Sequence, residues 1–205
     1  FVNGTGDTDN DLFTIDGSAL KIKSSPDYEL KSSYKIRLQT EDNTGGQFAK
    51  AFTLTVNDAN DIPTALALST TSFNENIASS TTVASLSSTD VDSSDTHTYS
   101  FVNGTGDTDN DLFTIDGSAL KIKSSPDYEL KSSYKIRLQT INSGGEAYSK
   151  AFTLTVNDAN DIPTALALST TSFNENIASS STIASLSSTD ADSSDTHTYS
   201  FINGT

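Results

Sequence analysis

The sequence predicts an all-β chain of tandem β-sandwiches, with about seven short strands in each. Three observations predict it. Apolar and polar side chains alternate at period two, Gly, Asp, Asn and Pro punctuate the alternating runs, and the chain repeats itself at a period of 100 residues. Residues 1–100 and 101–200 differ at eleven positions, eight of them between Glu41 and Ala49 and the others at Thr81, Val83 and Val91, and FINGT at 201–205 opens a third copy. The chain is therefore an array. No segment shows helical spacing over ten or more residues.

In chain order, LFTIDGSALKIK places Phe13 and Ile15 in one strand and Leu20 and Ile22 in the next. Asp16-Gly17 between them is a hairpin signal, because a tight two-residue turn needs positive φ. In YKIRLQT, Tyr34, Ile36 and Leu38 alternate with Lys35, Arg37 and Gln39, and in AFTLTV, Phe52, Leu54 and Val56 alternate with Thr53 and Thr55. ALALS at 65–69, TVASL at 82–86 and HTYSF at 97–101 complete the set. Pro63 cannot donate to a ladder and restrains the residue before it, so a new domain is expected just after AFTLTVNDAND. Boundaries near 62 and 162 divide the chain into the C-terminal part of one domain (1–61), a complete domain (62–161) and the N-terminal part of the next (162–205). Each end then exposes half a core. The expectation is a window on a longer array, or a chain whose tail completes the head of another.

Composition narrows the function classes. With 205 residues, 34% hydrophobic content and a formal charge of −15, the chain is too polar for one large core. No run approaches the ~20 apolar residues of a membrane helix, so membrane insertion is not expected, and no signal segment opens the chain. Cysteine is absent, which excludes disulfides, thiolate metal sites and a cysteine nucleophile. Twelve Lys and Arg against 27 Asp and Glu argue against nucleic acid, whose phosphates need clustered basic residues. An acid-rich surface favours cations.

The stretch NDANDIP follows the last strand of each copy, at 57–63 and 157–163. Its oxygen-bearing side chains fit turn chemistry, since Asp and Asn bond their own backbone and commonly precede proline. They equally fit a cation. Around residue 62 lie Asp58, Asn60 and Asp61, the pair Asp27 and Glu29, and Asp90, Asp92 and Asp95. Around 162 lie Asp158, Asn160 and Asp161, Asp127 and Glu129, and Asp190, Asp192 and Asp195, while FNEN contributes Glu75 or Glu175. Ca²⁺ takes about six to eight hard oxygens, which such loops supply, whereas transition metals call for Cys or His.

Other candidates are weaker. DTDND (Asp7, Asp9, Asp11) opens like an EF-hand loop, but Leu12 stands where glycine is required, so a solvated strand connection is expected rather than an extra ion. His97 and His197 are expected as packed or edge histidines. No GxSxG elbow, paired base or phosphate-cradling loop accompanies the many Ser and Thr. The NGT triplets at Asn3, Asn103 and Asn203 match a glycosylation acceptor, and also an Asn-Gly turn, which is the expectation.

Four motifs in order carry a resemblance: FNEN at 73–76, TDVD at 89–92, PDYE at 126–129 and DANDIP at 158–163. The chain resembles the cadherin repeat, most of all the cadherin-like tandem repeats of large bacterial surface adhesins of the RTX type. The resemblance implies Greek-key, Ig-like sandwiches joined end to end by calcium-binding linkers. Carried over, it implies that Glu75, Asp127, Glu129, Asp158, Asn160 and Asp161 meet Asp190 and Asp192 around Ca²⁺. The matching set near 62 is Asp27, Glu29, Asp58, Asn60, Asp61, Asp90 and Asp92; its upstream glutamate, the counterpart of Glu75, lies before this sequence, and Glu175 is the counterpart of Glu75 one copy on. Phe73 replaces the family's usual proline, the linker is one residue shorter than the common animal form, and the late acidic ligand expected near Asp42 is Asn142 in the second copy. Asparagine offers oxygen without charge, so a weaker ion, or one fewer, is expected near 62.

Three functional classes follow. The first is a structural extender of an extracellular adhesin or filament, with neighbouring repeats or head-to-tail copies as partners. The second is a directly adhesive module that binds cell-surface ligands. The third is an enzyme, for which the sequence offers no coherent nucleophile and base.

Overall fold

The computed structural model describes residues 4–203. Asn3 falls outside them, as do Gly204 and Thr205 after Asn203. The fold is all-β. By contacts the chain divides into two compact units. The first runs through Ala65 and adds Ser88–His97 and Thr140–Tyr148; the second holds Leu66–Ser87, Thr98–Gln139 and the chain from Ser149 on.

In the first unit, a 3-10 turn (Asn10–Leu12) leads into β1 (Phe13–Asp16) and β2 (Ala19–Ile22), and β3 (Ser33–Glu41) is followed by β4 (Gln47–Thr55). β1 and β2 form the expected hairpin, with Phe13 opposite Ile22 and Gly17 turning at φ 61°. β3 and β4 pair antiparallel from Ser33 with Thr55 to Glu41 with Gln47. The alternation decides the inward face: Phe13, Tyr34 and Ile36 are buried with Leu38, Leu54 and Val56 packed against them. The Phe13 and Tyr34 rings meet edge to face at 5.4 Å.

The middle of the chain supplies β5 (Ala65–Leu68), β6 (Ser72–Asn74), β7 (Thr82–Thr89), β8 (His97–Phe101), β9 (Phe113–Asp116), β10 (Ala119–Ile122), β11 (Ser133–Asn142) and β12 (Ala147–Asn157). They form two four-stranded sheets, in the orders β5-β7-β10-β9 and β6-β12-β11-β8. Phe113 of the first sheet meets Tyr134 and Phe73 of the second at 5.4 and 6.5 Å, and this aromatic triad centres the core. The short strand β6 was not expected. The chain leaves β5 where the Thr70 hydroxyl caps the Ser72 N–H at 3.2 Å, and it joins the other sheet by parallel pairing of Phe73 with Val156. Within the second unit, β13 (Ala165–Leu168) and β14 (Leu186–Thr189) form a two-stranded ladder, Ala165 opposite Thr189.

DTDND is not the solvated connection expected. Asp9 is buried; its carboxylate accepts the Lys35 N–H at 2.6 Å and pairs with the Lys31 ammonium at 2.9 Å. These contacts, the backbone hydrogen bond first, hold its pKa below the usual carboxylate value. The run pins the 3-10 turn to β3, a tertiary role that a local motif does not announce. Among the described residues no helix is long and apolar enough to cross a membrane.

Candidate metal centre

Apart from Asn157, the last residue of β12, both copies of NDANDIP lie outside the ladders, so their side chains are free to face neighbouring loops. In the first unit, Glu29, Asp61 and Asp92 each bring a carboxylate oxygen to within 4.8 Å of the others, and Asp90, Asp92 and Asp95 do the same. Asp92 belongs to both trios and is their hub. Its Oδ2 accepts the Asp61 N–H at 2.6 Å, while its own N–H reaches Asp90 Oδ1 at 3.3 Å. Asp58 stands close enough to Glu29 to act on its charge. Asp27 caps its own turn through the Leu30 N–H at 2.9 Å.

The second unit repeats the plan with one more member. Glu75, Asp127 and Glu129 form one trio, Glu129, Asp158 and Asp192 a second, and Asp190, Asp192 and Asp195 a third. Glu75 is buried, and its two oxygens accept the N–H groups of Tyr128 and Ala159, each at 2.7 Å. One glutamate thereby fastens the PDYE turn to the start of the linker. Asp161 receives the Asn76 amide at 2.8 Å and gives its own N–H to Asp192 at 2.6 Å. Asn60 and Asn160 bond the carbonyl of the residue that follows, at 3.1 and 2.6 Å. Glu175 is exposed and belongs to neither group.

Asn142 sits inside the first group, buried, but it turns its nitrogen to the acids. Nδ2 donates to Asp90 Oδ2 at 3.3 Å and to the Asp61 carbonyl at 2.8 Å, while Oδ1 accepts the Glu146 N–H at 2.8 Å. The backbone donor fixes that orientation, so in this placement Asn142 fastens two acids instead of offering oxygen. Gly144 stands beside it, where a Cβ would collide with the Asn60 side chain. Thr44 holds the equivalent place one copy earlier.

Two participants escaped sequence reasoning. His97 and His197 approach Asp90 and Asp190 through Nε2 at 3.1 and 3.0 Å. Asp95, grouped with its neighbours but left out of the ligand set, accepts the Ser143 hydroxyl through Oδ1 and keeps Oδ2 buried with no hydrogen-bond partner among the described residues. The signal was the seven-residue spacing in DVDSSDTH, which a loop closing on itself brings together.

Electrostatics separates these acids from ordinary surface carboxylates. Among the described residues no Lys or Arg forms an ion pair with any of them. On Asp158, desolvation first and then Asp192, Glu75, Asp161 and Asp195 push the pKa above its usual value. On Glu129 a backbone hydrogen bond pulls down, but desolvation and the charges of Glu75, Asp158 and Asp192 outweigh it, and Glu29 is raised likewise by Asp58, Asp92 and Asp61. Asp90 goes the other way: burial pushes it up, but the Asn142 amide, His97 and the Asp92 N–H outweigh burial. Several carboxylates held together with no Lys or Arg paired to them among the described residues, and one buried oxygen without a donor, offer oxygens of the kind a hard divalent ion takes. Ca²⁺ fits the residues present.

No protein-family model matches the chain, and no curated protein matches it. Solved structures do. The chain is similar to the protocadherin gamma B4 extracellular domain, with 24% identity and TM-score 0.60 over 85% of this chain and 29% of that one. It is similar to protocadherin gamma B2 extracellular cadherin domains 1–5, with 23% identity and TM-score 0.58 over 85% of this chain and 35% of that one. Human protocadherin-24 EC1-2 aligns at 20% identity and TM-score 0.58, over 76% of this chain and 80% of that one. The chain thus spans about a third of the first two. At these identities the likeness establishes the fold, that of cadherin extracellular domains.

Proposed function

We propose that the chain is an extender segment of an extracellular adhesin or filament, stiffened by Ca²⁺ at the junctions between its repeats. On this reading residues 1–61 are the C-terminal part of one repeat, 62–161 a complete repeat and 162–205 the N-terminal part of the next, and the spelling of their motifs resembles that of bacterial surface adhesins of the cadherin-like type. One observation carries this reading. The same unneutralised acid group recurs at both linkers, and within the first the buried Asp95 Oδ2 is left without a donor.

Near 162, Glu75, Asp127, Glu129, Asp158, Asn160, Asp161, Asp190 and Asp192 would hold the ions, with Asp195 joining them. Near 62, Glu29, Asp58, Asn60, Asp61, Asp90, Asp92 and Asp95 would do so with Asp27, and Asn142 could ligate only by turning its amide. The ion supplies positive charge and oxygen coordination that draw linker and loops together. Without it, like charges repel and the linker bends. Each binding event that favours the ordered junction stabilises it by RT ln(1 + [Ca]/Kd), about 1.4 kcal/mol at ten times Kd. Extracellular calcium modules work at Kd of roughly 10⁻⁴–10⁻³ M, which suits calcium outside cells.

Small-angle scattering with calcium and with EDTA tests the reading. The expected result is a longer, stiffer particle with calcium. Unchanged dimensions together with calcium-dependent binding to a surface ligand would instead make the chain an adhesive module.

A further inference from the structure

Asn-Gly occurs in this chain only as NGT, at Asn3, Asn103 and Asn203, and the calcium reading makes no use of it. Asn103 is exposed and stands outside the ladders, just past the end of β8. Gly104 follows at φ 144°, a conformation in which an L side chain is strained. Its N–H donates to Asp107 Oδ2 at 2.9 Å. The Arg137 guanidinium group lies against the same glycine: Nε comes within 3.0 Å of where a Cβ would stand, and Nη1 donates to the Thr105 carbonyl at 3.5 Å. The first copy repeats the arrangement, with the Gly4 N–H on Asp7 Oδ2 at 2.7 Å and Arg37 Nη1 on the Thr5 carbonyl at 3.4 Å. A carboxylate is thus held on the glycine nitrogen, and a positive charge stands beside the same peptide.

We propose that Asn103 is a site of self-modification, where the Gly104 nitrogen attacks the Asn103 side-chain amide and turns it into a carboxylate. As the nitrogen bonds to Cγ, its proton passes to Asp107, which sits within the reach that a general base requires. Negative charge builds on Asn103 Oδ1, and the guanidinium group of Arg137 beside the turn stabilises it. The Cγ–Nδ2 bond then breaks, and ammonia leaves with the proton that Asp107 took, closing a succinimide ring across Asn103 and Gly104. Water opens the ring. Where the bond from nitrogen to Cγ breaks, aspartate results; where the bond from nitrogen to the main-chain carbonyl carbon breaks, isoaspartate results, with the main chain rerouted through Cγ. In sum an amide and a water become a carboxylate and an ammonium ion, and nothing is oxidised or reduced. Glycine matters at 104 because a Cβ would crowd the attacking nitrogen and press on Arg137. The change runs one way and adds negative charge to a chain already at −15.

The folded wild-type chain, held at neutral pH and body temperature, is followed over days by peptide mapping with isoaspartate-specific methylation. The expected result is a growing fraction of aspartate and isoaspartate at position 103. Asp107→Asn removes the base and should slow that conversion at least about tenfold. Asp111→Asn removes an exposed carboxylate that is not the one on Gly104, and should leave the rate unchanged. In concentrated urea, wild type and Asp107→Asn should convert at the same rate, because nothing then holds the base on the nitrogen. Asp107→Glu returns a carboxylate and should recover much of the rate in the folded chain. No recovery, in a variant whose circular dichroism matches wild type, means that only the turn mattered and overturns the proposal. An Asn103 that stays intact in the folded chain overturns it too. So does an Asp107→Asn variant that converts as fast as wild type or faster, since the carboxylate would then guard the nitrogen instead of activating it.

Discussion

Residues 63–101 and 163–201 are the same sequence apart from Thr81, Val83 and Val91, yet they do not share a structure. Leu66 is 0% exposed and Leu166 68%; Phe73 is 8% exposed and Phe173 66%. β7 runs eight residues, whereas its counterpart β14 runs four, and the counterpart of β6 forms no strand. The difference lies in the partner strands. Among the described residues, the middle copy is followed by β9, β10 and β12, which accept its ladder and cover its apolar face. A strand here is a property of its neighbours more than of its residues.

The sharpest way to break that comparison is to remove the same ring from both copies. Phe73→Ala should destabilise the middle sandwich by about 3–5 kcal/mol, because it empties a place in the Phe113–Tyr134 triad. Phe173→Ala, on a ring largely in solvent, should change unfolding by less than about 0.5 kcal/mol. Urea unfolding followed by circular dichroism reads both. Equal losses would mean that the tail is packed as the middle is.

A second contrast concerns the loop where the copies diverge. Gly144→Ala places a methyl against Asn60 and should cost about 1–2 kcal/mol as Asn60 swings away from Asn142. Thr44→Ala, on an exposed side chain, should be nearly neutral. If Gly144→Ala were neutral in both stability and calcium affinity, the closeness of loop and linker would carry no energetic weight. At the acids, Asp161→Ala should weaken calcium binding about tenfold or more by calorimetry, while the same change at Asp107 leaves it unaltered.

The fold was legible in the sequence wherever one residue pattern had one solution. Alternation in YKIRLQT and FTLTV placed β3, β4, β11 and β12, and Asp16-Gly17 placed the first hairpin turn. What stayed hidden depended on distant partners. β6 exists because β12 offers an edge, Asp9 is buried because Lys31 and Lys35 reach it, and the second half of each acid trio is joined through loop closure. Sequence could group the acids of TDVDSSD, but it could not assign Asp95 a buried, unpaired oxygen or turn the Asn142 nitrogen inward.

The smallest effect compares two kinds of carboxylate within one chain, and its sign is diagnostic. Asp9 is held below its usual pKa of 3.8 by Lys35 and Lys31, so its stabilisation is present above that value and is lost as pH falls through the lowered one. Glu29, Glu129 and Asp158 are held above their usual 4.5, 4.5 and 3.8, so their contribution is full below those values and is lost as pH rises through the raised ones. In EDTA, lowering the pH from neutral toward about 5 should therefore slightly stabilise the linker regions, since protons relieve the repulsion before Asp9 loses its partners. With calcium present the same step should do the opposite, because protons compete with the ion for the same oxygens. Hydrogen exchange at the linker amides, measured at both pH values with and without calcium, reads the sign directly. Linker protection that falls with acid in EDTA as it does in calcium would remove mutual repulsion as the reason these acids sit together.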